Sequence, residues 1–180
     1  DRAVAVWCRE HRVKWNEYPQ NAVSRPVSRR GRKLKEHWDL WASAPLELLP
    51  SDPVWLEPDN KQSVLLLPAA VKTDPLLCGG RQKGGLQPAR ELVKSFLSHR
   101  GKGYGANMSS PSTAENGTSR LSPHFAYGTL SLRQVAQFAL RAKISAPRNH
   151  WHRQLQSFVT RLWWQSHAMQ VLENQPEMER

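Results

Sequence analysis

Three hydroxyl side chains, Thr118, Ser119 and Ser122, fall within five residues of one another in the stretch Gly117-Thr118-Ser119-Arg120-Leu121-Ser122-Pro123-His124. Hydroxyls beside free backbone amides can hold an oxyanion, so the chemistry on offer is phosphate binding. Ser122-Pro123 reads as a helix start, with Ser122 capping free N–H groups and Pro123 in the first helical position. A helix start with spare donors and a positive dipole end is a seat for phosphate. Read purely as local structure, the same string is two short helices with ordinary capping serines.

The neighbouring elements must position this loop. Gly128 breaks the short helix, and Ser131 can cap a second one through Val135, Phe138, Ala139 and Ala142. Before the loop, Leu92, Val93, Phe96 and Leu97 form the apolar face of a helix that begins near Pro88 and fades at Arg100-Gly101. Residues 101–117 read as a mobile, glycine-containing stretch carrying Tyr104 and a formal Asn116-Gly117-Thr118 sequon. Beyond it, Trp151, Leu155, Phe158, Leu162 and Met169 recur at helical steps, with Val159, Trp163 and Leu172 widening the stripe. That pattern predicts one long helix, or two shorter ones, between about Pro147 and Asn174.

The string TSRLSPHFAYGTLSLR (residues 118–133) resembles the flavin-binding signature of the photolyase/cryptochrome family, a long and ungapped match. The resemblance implies FAD as cofactor, its diphosphate held by Thr118, Ser119, Leu121 and Ser122, with Tyr104 on the same phosphate side. Arg161-Leu162-Trp163-Trp164-Gln165-Ser166-His167 resembles the family helix that runs along flavin and lesion pocket. It implies Trp164 as the platform for a damaged base, Phe158 as a lining aromatic and Gln165 beside the flavin. Stacking an extruded base on an aromatic ring is worth roughly 1–3 kcal/mol. Repair enzymes of the family commonly carry arginine where this chain has Gln165, a departure that leaves a reduced anionic flavin less stabilised.

The segment WNEYPQNAVSRP (residues 15–26) resembles the end of the N-terminal α/β domain in a bacterial-type photolyase-like subgroup. In some members that domain houses an antenna pigment, so an antenna chromophore of unknown identity is implied for the parent protein. The expected architecture is mainly α. Residues 1–41 form a remnant of a Rossmann-like α/β domain, with a helix over 1–12 and a strand over Val13–Tyr18. Residues 42–87 are a proline-rich connector containing one apolar run, Val64–Leu67. Residues 88–180 are the first helices of an all-α FAD-binding domain. Because family members are far longer, the 180 residues are expected to be a middle portion.

Composition narrows the partners. The net charge of +11 favours polyanions through counterion release. Arg25, Arg29, Arg30, Arg32, Lys33 and Lys35 form a basic run, and His37, Trp38 and Trp41 follow at helical spacing on a helix that they dock against a neighbour. This run reads as an exposed helix start in preference to a nucleic-acid or nuclear-import patch. Cys8 and Cys78 lack metal-ligand spacing and read as free thiols of a reducing compartment. No apolar run approaches the roughly 20 residues of a membrane span. His150 and His152, two apart, are poorly spaced for a helix-borne metal pair, and no metal is expected. No Ser/His/Asp arrangement or carboxylate pair argues for hydrolytic chemistry, and no side chain need act as acid, base or nucleophile. The expectation is a monomeric, intracellular parent protein, cytoplasmic ahead of organellar or nuclear, acting on damaged DNA by light-driven electron transfer from reduced FAD. The present chain by itself is expected to bind FAD weakly at best and to be inactive in repair. The alternatives are a cryptochrome-like photoreceptor without repair, and a cofactor-free basic nucleic-acid-binding chain.

Overall fold

Apolar residues at helical spacing dominate the second half of the chain, and there the core forms. The computed structural model describes residues 2–18, 20–24, 31–47, 51–52 and 78–179. The fold is mainly helical, with no strand among the described residues. Helices α1 (Arg2–Glu10) and α2 (Gly31–Ser43) precede α3 (Leu86–Ser98). A 3₁₀ turn (Arg100–Gly103) leads into α4 (Tyr104–Asn107), α5 (Pro111–Gly117) and α6 (Ser122–Ala126). Then come α7 (Leu132–Ser145), α8 (His150–Asn174) and a closing 3₁₀ turn (Pro176–Glu179).

The last two long helices form a hairpin. Ser131 caps α7 by accepting a bond from the Gln134 amide at 3.4 Å, and Asn149 caps α8 through Trp151 N at 2.9 Å. The short connector, with Pro147 in it, turns the chain back so that α8 packs along α7. Val135, Ala136 and Ala139 on one side meet Phe158 and Leu162 on the other, all buried. Trp38 and Ala42 bring α2 onto this pair, and Gln137 Nε2 donates to the carbonyls of Ala42 and Ala44 at 2.9 and 2.8 Å, closing the end of α2. Ala89, Val93 and Phe96 complete the core from α3.

Three rings lie at its centre. Phe96, Tyr104 and Phe158 meet pairwise edge to face, with centroid separations of 5.4, 4.6 and 5.7 Å. Such arrangements add to area burial because ring edges and faces carry opposite partial charge.

Several expectations need correction. Val13–Tyr18 is irregular rather than a strand, since a strand requires a ladder partner and none exists among the described residues. Val13 N instead closes the end of α1 by bonding Cys8 O at 2.8 Å. Residues 101–117 are not a mobile stretch but a 3₁₀ turn and two short helices. Close packing explains the order. A Cβ at Gly101 would come within 2.8 Å of Phe96 O, and one at Gly117 would overlap the Asn107 side chain. On α8, Met169 and Leu172 are largely exposed, while Ser166 and Gln170 are buried. The apolar run Val64–Leu67 and the side chains of Arg25, Arg29, Arg30, Arg32 and Lys33 lie outside the described residues.

The buried polar pair on α8 holds the chain before α2. Gln170 accepts from Ser24 N at 2.7 Å and donates to Ser24 O at 3.2 Å, while Ser166 donates to Asn21 O at 2.5 Å. Asn21 and Ala22 both have positive φ, and Ala22 inserts into the core. Two consecutive left-handed non-glycine residues cost energy, which these bonds offset. Phe96→Ala is expected to lower stability by about 3–5 kcal/mol, measured by urea denaturation, because it empties the ring cluster.

Candidate functional site

The hydroxyl loop is built from beneath by Arg100. Its Nε donates to Ser95 Oγ at 3.0 Å, and one Nη donates to Leu92 O at 3.2 Å, which ties the group to the last two turns of α3. The other Nη donates to Thr118 O at 2.6 Å, while the Nη on Leu92 O also reaches Ser119 O at 3.5 Å. The guanidinium fork therefore grips the loop by its backbone and leaves the side chains to other uses. Arg120 sits at φ 57°, and its carbonyl accepts from Gln82 Nε2 at 2.6 Å. Leu121, fully buried, anchors the next residue in the core.

The three hydroxyls have different fates. Thr118 Oγ1 donates to Ala114 O at 2.7 Å and closes α5. The hydroxyls of Ser119 and Ser122 make no hydrogen bond among the described residues. Ser122 is not the cap it was expected to be: it is the first residue of α6, Leu121 occupies the cap position, and no side chain caps this end. Leu121 already has helical φ and ψ, so the chain enters the helix one residue early.

The loop is electropositive. Arg100 meets no carboxylate at ion-pair distance among the described residues. Burial, then the charge of Arg120, pull its pKa below the ordinary arginine value. Among the described residues Arg120 itself reaches only the exposed Glu115, at 3.5 Å. Two guanidinium groups, two uncommitted hydroxyls and a solvent-facing loop favour an anion with several acceptor oxygens, such as a diphosphate.

The other expected residues divide. Tyr104 is not in an exposed loop but opens α4 with its ring in the core, where burial raises its pKa against the weaker opposing pull of Arg161. Phe158 is 2% exposed and packs on Phe96 and Tyr104, so it fills the core rather than lining a cavity. Trp164, two residues on from buried Leu162, points about 200° away around the helix. It is 50% exposed and touches Trp163 and His167 edge to face. Gln165 is half-buried beside it on α8. The structure thus joins Tyr104 to Phe158 and Thr118 to Ser122, and Trp164 and Gln165 stand apart from the ring cluster.

Comparison with family models, with curated proteins and with solved structures finds no match. The site is therefore read from its own residues. Arg100, Arg120 and Gln82 were missed in the sequence because each acts through long-range backbone bonds that spacing does not encode. His124 was missed too. It is buried, and its Nδ1 pairs with Thr129 Oγ1 at 2.9 Å, tying α6 to the turn that follows. A histidine and threonine five residues apart around Gly128 were the available signal. Among the described residues no group of His, Cys, Asp and Glu could hold a metal ion, and no helix is long and apolar enough to cross a membrane.

Two outcomes follow from this geometry. Arg100→Lys cannot span the same acceptors and is expected to lower stability by about 1.5–3 kcal/mol, measured by urea denaturation. Tyr104 favours its neutral form in the fold, so the unfolded chain ionises first as pH rises past 10.0. Stability should accordingly fall above that pH, and Tyr104→Phe should show a smaller alkaline loss in melting temperature.

Proposed function

We propose that the chain is a portion of a FAD-binding, photolyase-type protein, the parent of which acts on damaged DNA under light. The observation that carries this reading is the loop Thr118–Ser122, held backbone-first by Arg100 with the Ser119 and Ser122 hydroxyls uncommitted in an electropositive setting. The donor set fits the diphosphate of FAD. Ser119 and Ser122 would donate to its oxygens, and the charges of Arg100 and Arg120 would stabilise it. When bound and reduced, FAD supplies the electron that light drives onto a pyrimidine dimer. Trp164, half-exposed on α8, offers the flat apolar face on which an extruded base can stack. The charge of +11 suits a DNA backbone, and the two free thiols fit an intracellular, cytoplasmic setting. Tyr104 and Phe158 act as core residues behind the site, positioning α4 and α8.

Gln165 favours a second reading, a cryptochrome-like photoreceptor that holds FAD and signals without repair. A neutral amide at that place leaves an anionic reduced flavin without a neighbouring counter-charge.

Incubating the chain with FAD, removing free dye and recording the absorption spectrum tests the common part of both readings. Retained flavin bands are expected. The double variant Ser119→Ala/Ser122→Ala should weaken retention by roughly tenfold or more at unchanged melting temperature, since each 1.4 kcal/mol is tenfold in affinity. Thr118→Ala should act mainly on stability, because its hydroxyl is used inside α5. Flavin retention that is indifferent to Ser119 and Ser122, or no retention by the wild type, would overturn the assignment.

A further inference from the structure

The first turn of α7 carries a second arginine whose bonding is the reverse of Arg100's. Arg133 lies over the face of Trp41, with its guanidinium carbon 4.7 Å from the ring centroid. Stacking occupies the face of the guanidinium plane and leaves its in-plane N–H donors for other partners. Among the described residues its buried Nε and both Nη groups make no hydrogen bond, and no carboxylate pairs with the group. The two Nη groups, which extend past the buried Nε, are the donors that a ligand in reach of the guanidinium can use, and the fold spends neither of them on its own described residues.

Arg133 lines a cleft of about 520 Å³, which has room for a molecule of mononucleotide size. Phe125 and Trp41 supply aromatic walls, and Gln20, Gln134 and Ser131 bring neutral polar groups. Exposed Glu47 also lines it and is the one acidic side chain there. The cleft lies past the C-terminal end of α6, through Phe125 and Gly128, whereas the hydroxyl loop lies at that helix's N-terminal end. Thr118, Ser119 and Ser122 contribute nothing to it.

We propose that this cleft binds a small phosphate-bearing ligand with a flat heterocycle, its phosphate accepting from Arg133 and its ring lying against the aromatic wall. The stacked guanidinium is held in place by Trp41 before any ligand arrives, so little side-chain freedom is lost on binding. The chemistry is that of a nucleoside monophosphate, and the cleft is separate from the loop assigned to FAD.

The test uses AMP, inorganic phosphate and adenosine as probes, titrated calorimetrically into the full chain carrying Ser119→Ala/Ser122→Ala. That background removes the loop hydroxyls, so failure of FAD binding and failure of this cleft are read separately. AMP is expected to bind saturably and at least tenfold more tightly than phosphate or adenosine. Arg133→Gln should weaken AMP at least tenfold. Glu47→Gln, a change at an exposed position, should tighten it severalfold by removing the one negative charge that the described residues bring to the cleft. The Arg133 Nε–H resonance should shift on AMP addition in ¹⁵N-resolved spectra. Adenosine binding as tightly as AMP, AMP affinity unchanged by both substitutions, or no saturable binding would overturn the proposal. If Arg133→Gln fails to fold, Glu47→Gln and the Nε–H shift still decide the matter.

Discussion

The edge-to-face packing of Phe96, Tyr104 and Phe158 is the contact on which the helical body depends. Each ring comes from a different element, α3, α4 and α8, so the cluster fixes three directions at once. It also explains why the chain between α3 and α5 is ordered. Gly101 lets the backbone pass against the Phe96 ring, and Tyr104 then packs edge to face against both phenylalanines. With those positions fixed, Arg100 is brought under the loop at Thr118 and Ser119. The candidate site is therefore a consequence of core packing some residues away.

Helices with a simple amphipathic period were legible in the sequence. Val93 and Phe96 on α3, Val135 and Ala139 on α7, and Leu155, Phe158 and Leu162 on α8 are buried where spacing placed them. The Ser131 cap and the break at Gly128, with φ 68°, were equally local signals. Position 166 and position 170 continue the 155–158–162 register, and there the residues are Ser166 and Gln170. Reading apolar type instead of register drew the stripe to Met169 and Leu172. The polar choice makes sense only with segment 20–24 in view, since those side chains bond its backbone. A partner nearly 150 residues distant leaves no trace in local spacing.

The same contrast governs the site. That Thr118, Ser119 and Ser122 form a donor cluster was visible from residue type alone. Which hydroxyl is free was not, because that depends on where α5 ends and α6 begins. Thr118 is consumed by Ala114 O, and Ser122 enters the helix instead of capping it. Tyr104 and Phe158 show the opposite failure. Each has the aromatic type that a stacking role requires, yet each lies in the ring cluster, because a small body can bury few large side chains and uses those it has. Trp164 escapes this by lying on the far side of α8 from Leu162.

Arg100 and Arg133 show how one residue type is put to two uses. Around Arg100 the fold places carbonyls of α3 and of the loop plus the Ser95 hydroxyl, so the in-plane donors are consumed internally and the charge acts outward through the loop. Around Arg133 the described residues place an aromatic face but no acceptor for Nε. Desolvating a guanidinium costs energy in both places. At Arg100 hydrogen bonds offset that cost, while at Arg133 stacking offsets part of it and leaves the donor edge unspent. A fold that holds one cation by its donors and another by its face has made the first a structural clamp and the second a receptor for whatever anion reaches it.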